Sequence, residues 1–71
     1  MSGPAVQVNG IPVPLRPADS LAAVLAAAGA DPARPGIAVA LNDRVVPRAA
    51  WTTTVLAPGD RVEVLQAVAG G

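Results

Sequence analysis

The sequence predicts an α+β fold in which one main helix packs on a mixed sheet of about five strands. Three observations lead to this prediction. Short segments with the apolar pattern of strands flank a single segment with helical spacing. The chain has 71 residues, enough for one small domain. Its residues are 52% hydrophobic with a single aromatic side chain, which predicts an aliphatic core.

The first two strands are predicted to form a hairpin. Residues 5–8 alternate apolar and polar side chains, and residues 11–15 form a second apolar run. Asn9-Gly10 lies between them and is typical of a type I′ turn, which requires two positive φ angles. Two prolines in the second run lack a backbone N–H, so this strand is expected at the edge of the sheet.

The helix is predicted over residues 21–28. Asp19 or Ser20 is expected to cap its first free amides, and Gly29 to end it in the left-handed conformation. Apolar residues at the spacing of one helix face are Leu21, Val24, Leu25 and Ala28.

Two further strands and a last one follow the helix. Residues 37–41 are an apolar run typical of an interior strand, and a two-residue turn leads to a strand at 44–46. Residues 48–55 are expected to form an irregular or short helical crossover. A turn at 58–60 precedes the last strand, residues 61–65, whose side chains alternate.

This order of elements predicts the β-grasp, or ubiquitin-like, arrangement. A helix that crosses over after a hairpin brings a later strand parallel to the first. No repeat or linker divides the sequence, so residues 1–71 are predicted to form a single domain. Residues 1–4 are expected to be a loose leader, and residues 66–71 a flexible functional tail.

The residue types that are absent argue against an enzyme. The chain has no His, Cys, Lys or Tyr, which supply most general acid–base and nucleophilic catalysis. Without Cys and His it lacks the usual structural zinc ligands, and without Lys it lacks a phosphate-binding P-loop. We therefore predict a non-enzyme that binds no metal or cofactor itself.

Charge and hydropathy argue against nucleic-acid and membrane partners. Five arginines balance five acidic residues, and no basic run is present. The first residues lack the features of a signal peptide. The longest apolar run, residues 21–28, is far shorter than the roughly 20 residues of a membrane helix. The sequence thus predicts a cytoplasmic protein.

The final two glycines, Gly70 and Gly71, are predicted to carry the function. Without Cβ atoms, Gly70 and Gly71 can enter a channel too narrow for side chains, and we expect Val68, Ala69 and Gly70 to contact the channel of a partner. From Gln66 onward the extended tail reaches about 20 Å. Its α-carboxylate is a poor electrophile, so a separate enzyme must activate it, for example as an acyl adenylate that sulfur converts to a thiocarboxylate.

Two segments of the chain have a distinctive combination of residues. Residues 40–51 contain Val-Pro-Arg-x-x-Trp, and residues 56–65 contain Gly-Asp before the last strand. Together with the Gly-Gly end, these segments resemble the ThiS family of sulfur carriers in thiamin biosynthesis. The similarity spans nearly the whole chain from Val6.

The resemblance implies a set of partners and a site. A ThiF-like adenylating enzyme would use ATP and Mg²⁺ to adenylate the Gly71 carboxylate, and a desulfurase would supply the sulfur. A ThiG-like thiazole synthase would then take that sulfur from the thiocarboxylate. Arg48 and Trp51 are candidate partner contacts, with a solvated arginine and a core tryptophan as the structural alternatives; packing is favoured for Trp51. The exposed side of the sheet is expected to carry an apolar docking patch.

Three other functions share some of these features. The small subunit of molybdopterin synthase has the same tail chemistry, although Gln66-Ala67 before Val68-Ala69 favours the thiamin interpretation. A covalent protein modifier is a second alternative, but the lack of Lys forbids chains linked through its own side chains. A plain interaction module, with an incidental Gly-Gly, is the third.

Overall fold

A computed structural model describes residues 3–66 of the chain. The predicted roles of Val68, Ala69, Gly70 and Gly71 lie outside the described residues. The assignment of residues 1–71 to one domain stays a prediction. The elements, in chain order, are strands β1 (Ala5–Val8) and β2 (Ile11–Pro14), helix α1 (Leu21–Ala27), strands β3 (Ile37–Leu41) and β4 (Arg44–Val45), a 3₁₀ turn (Arg48–Ala50) and strand β5 (Arg61–Gln66).

The strands form one mixed sheet in the order β2-β1-β5-β3-β4. Strand β5 lies in the middle, parallel to β1 and antiparallel to β3, while the two outer pairs are antiparallel hairpins. The predicted β-grasp arrangement is therefore confirmed. The connection through α1 leads from β2 to β3 on the other side of the sheet, and β5 then pairs between β1 and β3.

The first hairpin has the predicted turn and the predicted edge strand. Asn9 and Gly10 have φ angles of 51° and 82°, the left-handed values of a type I′ turn. Strand β2, with its two prolines, is the outermost strand on this side of the sheet. It ends one residue earlier than predicted, because β1 begins at Ala5. The Leu15 N–H nevertheless donates to the Pro4 carbonyl at 2.9 Å.

Helix α1 is capped by Ser20, one of the two predicted caps. The Ser20 hydroxyl accepts a hydrogen bond from the main-chain N–H of Ala23 at 3.1 Å. The Asp19 carboxylate instead accepts from the Arg16 N–H at 2.9 Å and closes the preceding turn. The helix ends at Ala27, one residue before the predicted end, and Gly29 follows in the left-handed conformation with φ 86°.

The core lies between α1 and one face of the sheet, and is aliphatic apart from one tryptophan, as predicted. No buried polar or charged side chain is found among residues 3–66, so burial of apolar surface stabilises this part of the chain. The buried residues are Val6, Val8, Val13, Leu15, Leu21, Val24, Leu25, Val39, Trp51, Leu56 and Val62.

The second half of the chain differs from the predictions at two boundaries, the ends of β4 and β5. Strand β4 ends at Val45, although the N–H of Val46 still donates to Val39. The crossover is irregular and partly helical, as predicted: it begins with the 3₁₀ turn at Arg48 and includes an isolated bridge from Val55 to Ser20. Strand β5 continues to Gln66, which the sequence assigns to the tail, because Gln66 pairs with Ile37. Within residues 3–66, no helix is long and apolar enough to cross a membrane.

Candidate functional site

The candidate site begins where β5 ends. Gln66 is both the last residue of this central strand and the last residue that the structure describes. The remaining residues of the predicted functional tail, 67–71, therefore follow the central strand directly in the sequence. Strand β3 pairs with β5 over the whole stretch from Val62 to Gln66, which fixes one side of the strand up to that point.

The other side of β5 is held by a side chain. Strand β1 pairs only with Arg61 and Val62, because the chain then turns away at Asn9. Asn9 continues the pairing: its main-chain N–H donates to the Val62 carbonyl at 2.9 Å. Its side-chain Oδ1 accepts from the Val64 N–H at 2.8 Å, and its Nδ2 donates to the Val64 carbonyl at 3.3 Å. The side-chain amide thus takes the place of one further residue of β1.

Asn42 has the equivalent role at the start of β5. It also has a left-handed φ, 49°, directly after a strand that ends beside β5. Its Oδ1 accepts from the Arg61 N–H at 2.9 Å, and its own N–H donates to the Arg61 carbonyl at 2.8 Å. Its Nδ2 donates to Asp60 at 3.0 Å. Two asparagines, one at each end, therefore bind the main chain of the central strand.

A network of polar contacts links the end of β5 to the Val-Pro-Arg-x-x-Trp segment. The Gln66 amide, with its oxygen turned to Arg34, accepts from Nη2 at 2.9 Å and from Nε at 3.0 Å. Arg48 donates to the carbonyl of Arg34 at 2.8 Å and to that of Pro32. The Arg48 guanidinium carbon also lies 4.4 Å from the centre of the Trp51 ring, within the range of a cation–π contact. Arg48 thus holds the loop from which Arg34 reaches Gln66.

Trp51 is only 3% exposed and packs in the core, the alternative that the sequence favours for it. Its indole Nε1 donates to the Val46 carbonyl at 2.8 Å, so its polar group is satisfied inside the chain. Arg48 is exposed, and its hydrogen bonds are made to loop carbonyls of its own chain. Contact of these two residues with a partner stays a prediction.

The outer face of the sheet carries an apolar surface beside the end of β5. Side chains alternate along each strand, so the neighbours of buried residues point away from the helix. Leu65 is 68% exposed and Val45 is 78% exposed. We define the sheet patch as the four apolar residues that the strand register brings together here, namely Ala38, Ala40, Val45 and Leu65. The sequence predicts a docking patch on this face of the sheet, the one that points away from α1.

Charged residues lie at the border of the sheet patch. Glu63 is the register partner of Ala40, and Arg61 precedes it on the same face of β5. Arg61 forms an exposed ion pair with Asp43 at 3.0 Å. Such pairs contribute about 0–1 kcal/mol to stability, so their more evident contribution here is a polar border around the apolar residues. Among residues 3–66, no group of three or more His, Cys, Asp or Glu side chains is placed to hold a metal ion.

Comparisons with known proteins agree with this architecture. The model of the ThiS family matches residues 6–71. The crystal structure of a thiamine biosynthesis protein (ThiS) from Geobacter metallireducens superposes with a TM-score of 0.70 and 31% sequence identity, covering 94% of this chain and 99% of that one. Among curated protein sequences, none matches the chain significantly.

Proposed function

Because the chain belongs to the ThiS family of small, ubiquitin-like sulfur carriers, we propose that Gly71 carries sulfur as a C-terminal thiocarboxylate for thiazole formation. The observation that carries the proposal is the position of β5. This central strand leads directly from the sheet into the last five residues, next to an exposed apolar surface. The structural neighbour is a thiamine biosynthesis protein, which favours this pathway over the molybdopterin alternative.

The proposed chemistry takes place at the Gly71 carboxyl group while it lies in the sites of partner enzymes. In a ThiF-like adenylating enzyme, a carboxylate oxygen attacks the α-phosphorus of ATP, and pyrophosphate leaves. A sulfide-level nucleophile then attacks the carbonyl carbon of the acyl adenylate. The C–O bond to AMP breaks, AMP leaves with the electron pair, and the thiocarboxylate remains on the carrier. Mg²⁺ and ATP belong to the partner in this proposal, and the carrier binds no cofactor itself.

The folded part of the carrier binds the partner enzyme and presents the C-terminal carboxylate to its site. The sheet patch offers exposed apolar side chains to a protein interface, and the charged residues at its border favour one orientation of the partner. Once the sheet patch is docked, the C-terminal residues reach the partner's site as an intramolecular event at a high effective concentration. A ThiG-like thiazole synthase that accepts the sulfur, and a desulfurase that supplies it, complete the proposed set of partners.

Formation of the thiocarboxylate is the direct test of this function. We expect the intact protein, incubated with the partner adenylating enzyme, MgATP and sulfide, to gain the mass of one sulfur in place of one oxygen. Intact-mass spectrometry measures the change, and omission of ATP is the control. An unchanged mass with an enzyme that demonstrably exchanges pyrophosphate with ATP would contradict the proposal.

Docking through the sheet patch gives a second prediction. Leu65→Glu is expected to raise the KM of the adenylating enzyme for the carrier about tenfold, because the interface would then bury an unpaired carboxylate. Val55→Glu is the matched control, since Val55 is 62% exposed but lies outside the patch. Steady-state kinetics with varied carrier concentration measures both variants. Equal KM values for the two variants would rule out the sheet patch as the docking surface.

A further inference from the structure

On the side of β5 that faces β1, the partner of the main chain changes at Val64 from a strand to a side chain. Alternate residues of the strand direct their main-chain groups towards β1, and these groups need partners beyond the point where β1 ends. The Val64 N–H and carbonyl both find them in the side-chain amide of Asn9, at 2.8 and 3.3 Å. These two contacts join residues 55 positions apart in the sequence. They secure β5 two residues before Gln66, the last residue of the strand.

We propose that Asn9 is a positioning residue for sulfur transfer, because it sets the point at which the sheet ends and the tail begins. This inference rests on the proposed function. With Val64 held, the residues up to Gln66 need no further ordering when the carboxylate enters the partner's site. Without the Asn9 side chain, β3 alone holds the end of β5, so Gln66 leaves the sheet more readily and about one more residue must be ordered. Each additional residue carries a conformational-entropy cost, and a longer tether lowers the effective concentration of the carboxylate.

The conformation of Asn9 makes this role specific to its side chain. Its φ of 51° belongs to the hairpin turn, and asparagine tolerates the left-handed region better than most residues. The turn brings the side-chain amide alongside β5, in line with the main chain of β1. Glycine adopts the same backbone conformation but has no amide. Asn9→Gly therefore removes the two contacts to Val64 without straining the turn.

The structure also offers a matched control. Asn42→Gly removes two side-chain hydrogen bonds from another left-handed asparagine, here at the start of β5. Both variants are expected to lower the Tm by similar amounts. Only Asn9→Gly is expected to lower the kcat of thiocarboxylate formation, about fivefold, which corresponds to the cost of ordering roughly one more residue. Its KM is expected to remain unchanged, because β3 still holds Leu65 in the sheet patch through the pair with Ala38.

The experiment measures thiocarboxylate formation by the full chain with the partner adenylating enzyme, MgATP and sulfide. Hydrogen exchange of the Val64 amide is measured alongside, and is expected to be faster in Asn9→Gly than in Asn42→Gly. Equal kcat losses in the two variants, or an unchanged kcat in Asn9→Gly, would overturn the role of Asn9 alone. A wild-type chain that forms no thiocarboxylate would overturn the proposed function and this inference with it.

Discussion

Deletion of Gly71 is expected to lower sulfur transfer at least about a hundredfold, because the shortened tail ends roughly 3.5 Å before the position that the partner's site requires. The buried residues and the strand pairs that the structure describes are formed by residues 3–66. The free energy of unfolding should therefore stay within about 0.5 kcal/mol of the parent's. Thiocarboxylate formation and urea unfolding measure the two effects separately.

A chain that ends in a carboxamide tests the same point without shortening the tail. The amide has the same length and the same sheet patch, but its terminal group lacks the anionic oxygen that attacks ATP. We expect it to bind the adenylating enzyme and to inhibit the unmodified carrier competitively, with no transfer of its own. Normal transfer from the deletion or the amide would leave the interaction module, in which Gly-Gly is incidental, as the better interpretation.

Leu25→Ala is expected to lower the free energy of unfolding by about 3 kcal/mol, the typical cost of truncating a fully buried leucine. Leu25 is 0% exposed, at the centre of the helix face that packs on the sheet. A domain of 71 residues has a total stability of about 4–10 kcal/mol, so this single loss is a large fraction of it. Urea denaturation followed by Trp51 fluorescence measures the change.

The loss of stability in Leu25→Ala can be attributed to packing rather than to helix propensity. Alanine is a better helix former than leucine, so the substitution itself favours the helix and the loss must come from packing. Ala26→Gly, at the next and exposed position, is the control that weakens the helix without opening a cavity, and it should cost about 1 kcal/mol. A smaller loss in Leu25→Ala than in this control would show that the core adjusts to fill the space.

Local patterns in the sequence were sufficient to predict most of the fold. The turn at Asn9-Gly10 requires positive φ angles, and the spacing of Leu21, Val24 and Leu25 defines a helix face. Each signal is contained within a few neighbouring residues. The sequence alone does not choose between Asp19 and Ser20 as helix cap, because either side chain can reach a free amide. The structure decides it through the competing hydrogen bond from Arg16 to Asp19.

The contacts around the end of β5 could not be predicted in the same way. The sequence identified Asn9 only as a turn residue, since its bonds to Val64 depend on the assembled sheet. The same is true of the contacts from Arg48 to the loop carbonyls and from Arg34 to Gln66. These contacts depend on the folded position of the irregular loop between α1 and β3. One signal was available: an asparagine that directly follows a strand can extend the pairing of that strand by its own amide.

The two edge strands of the sheet affect the tendency of the protein to aggregate at high concentration. One edge strand is β2, in which Pro12 and Pro14 offer no N–H group, and the other is β4, which has only two residues. Neither provides a long row of free donors and acceptors on which a second molecule could add a strand. Both edge strands therefore disfavour the pairing of strands between molecules that would build fibrils. Each copy would then remain free to dock with a partner enzyme through the sheet patch, as the proposed function requires.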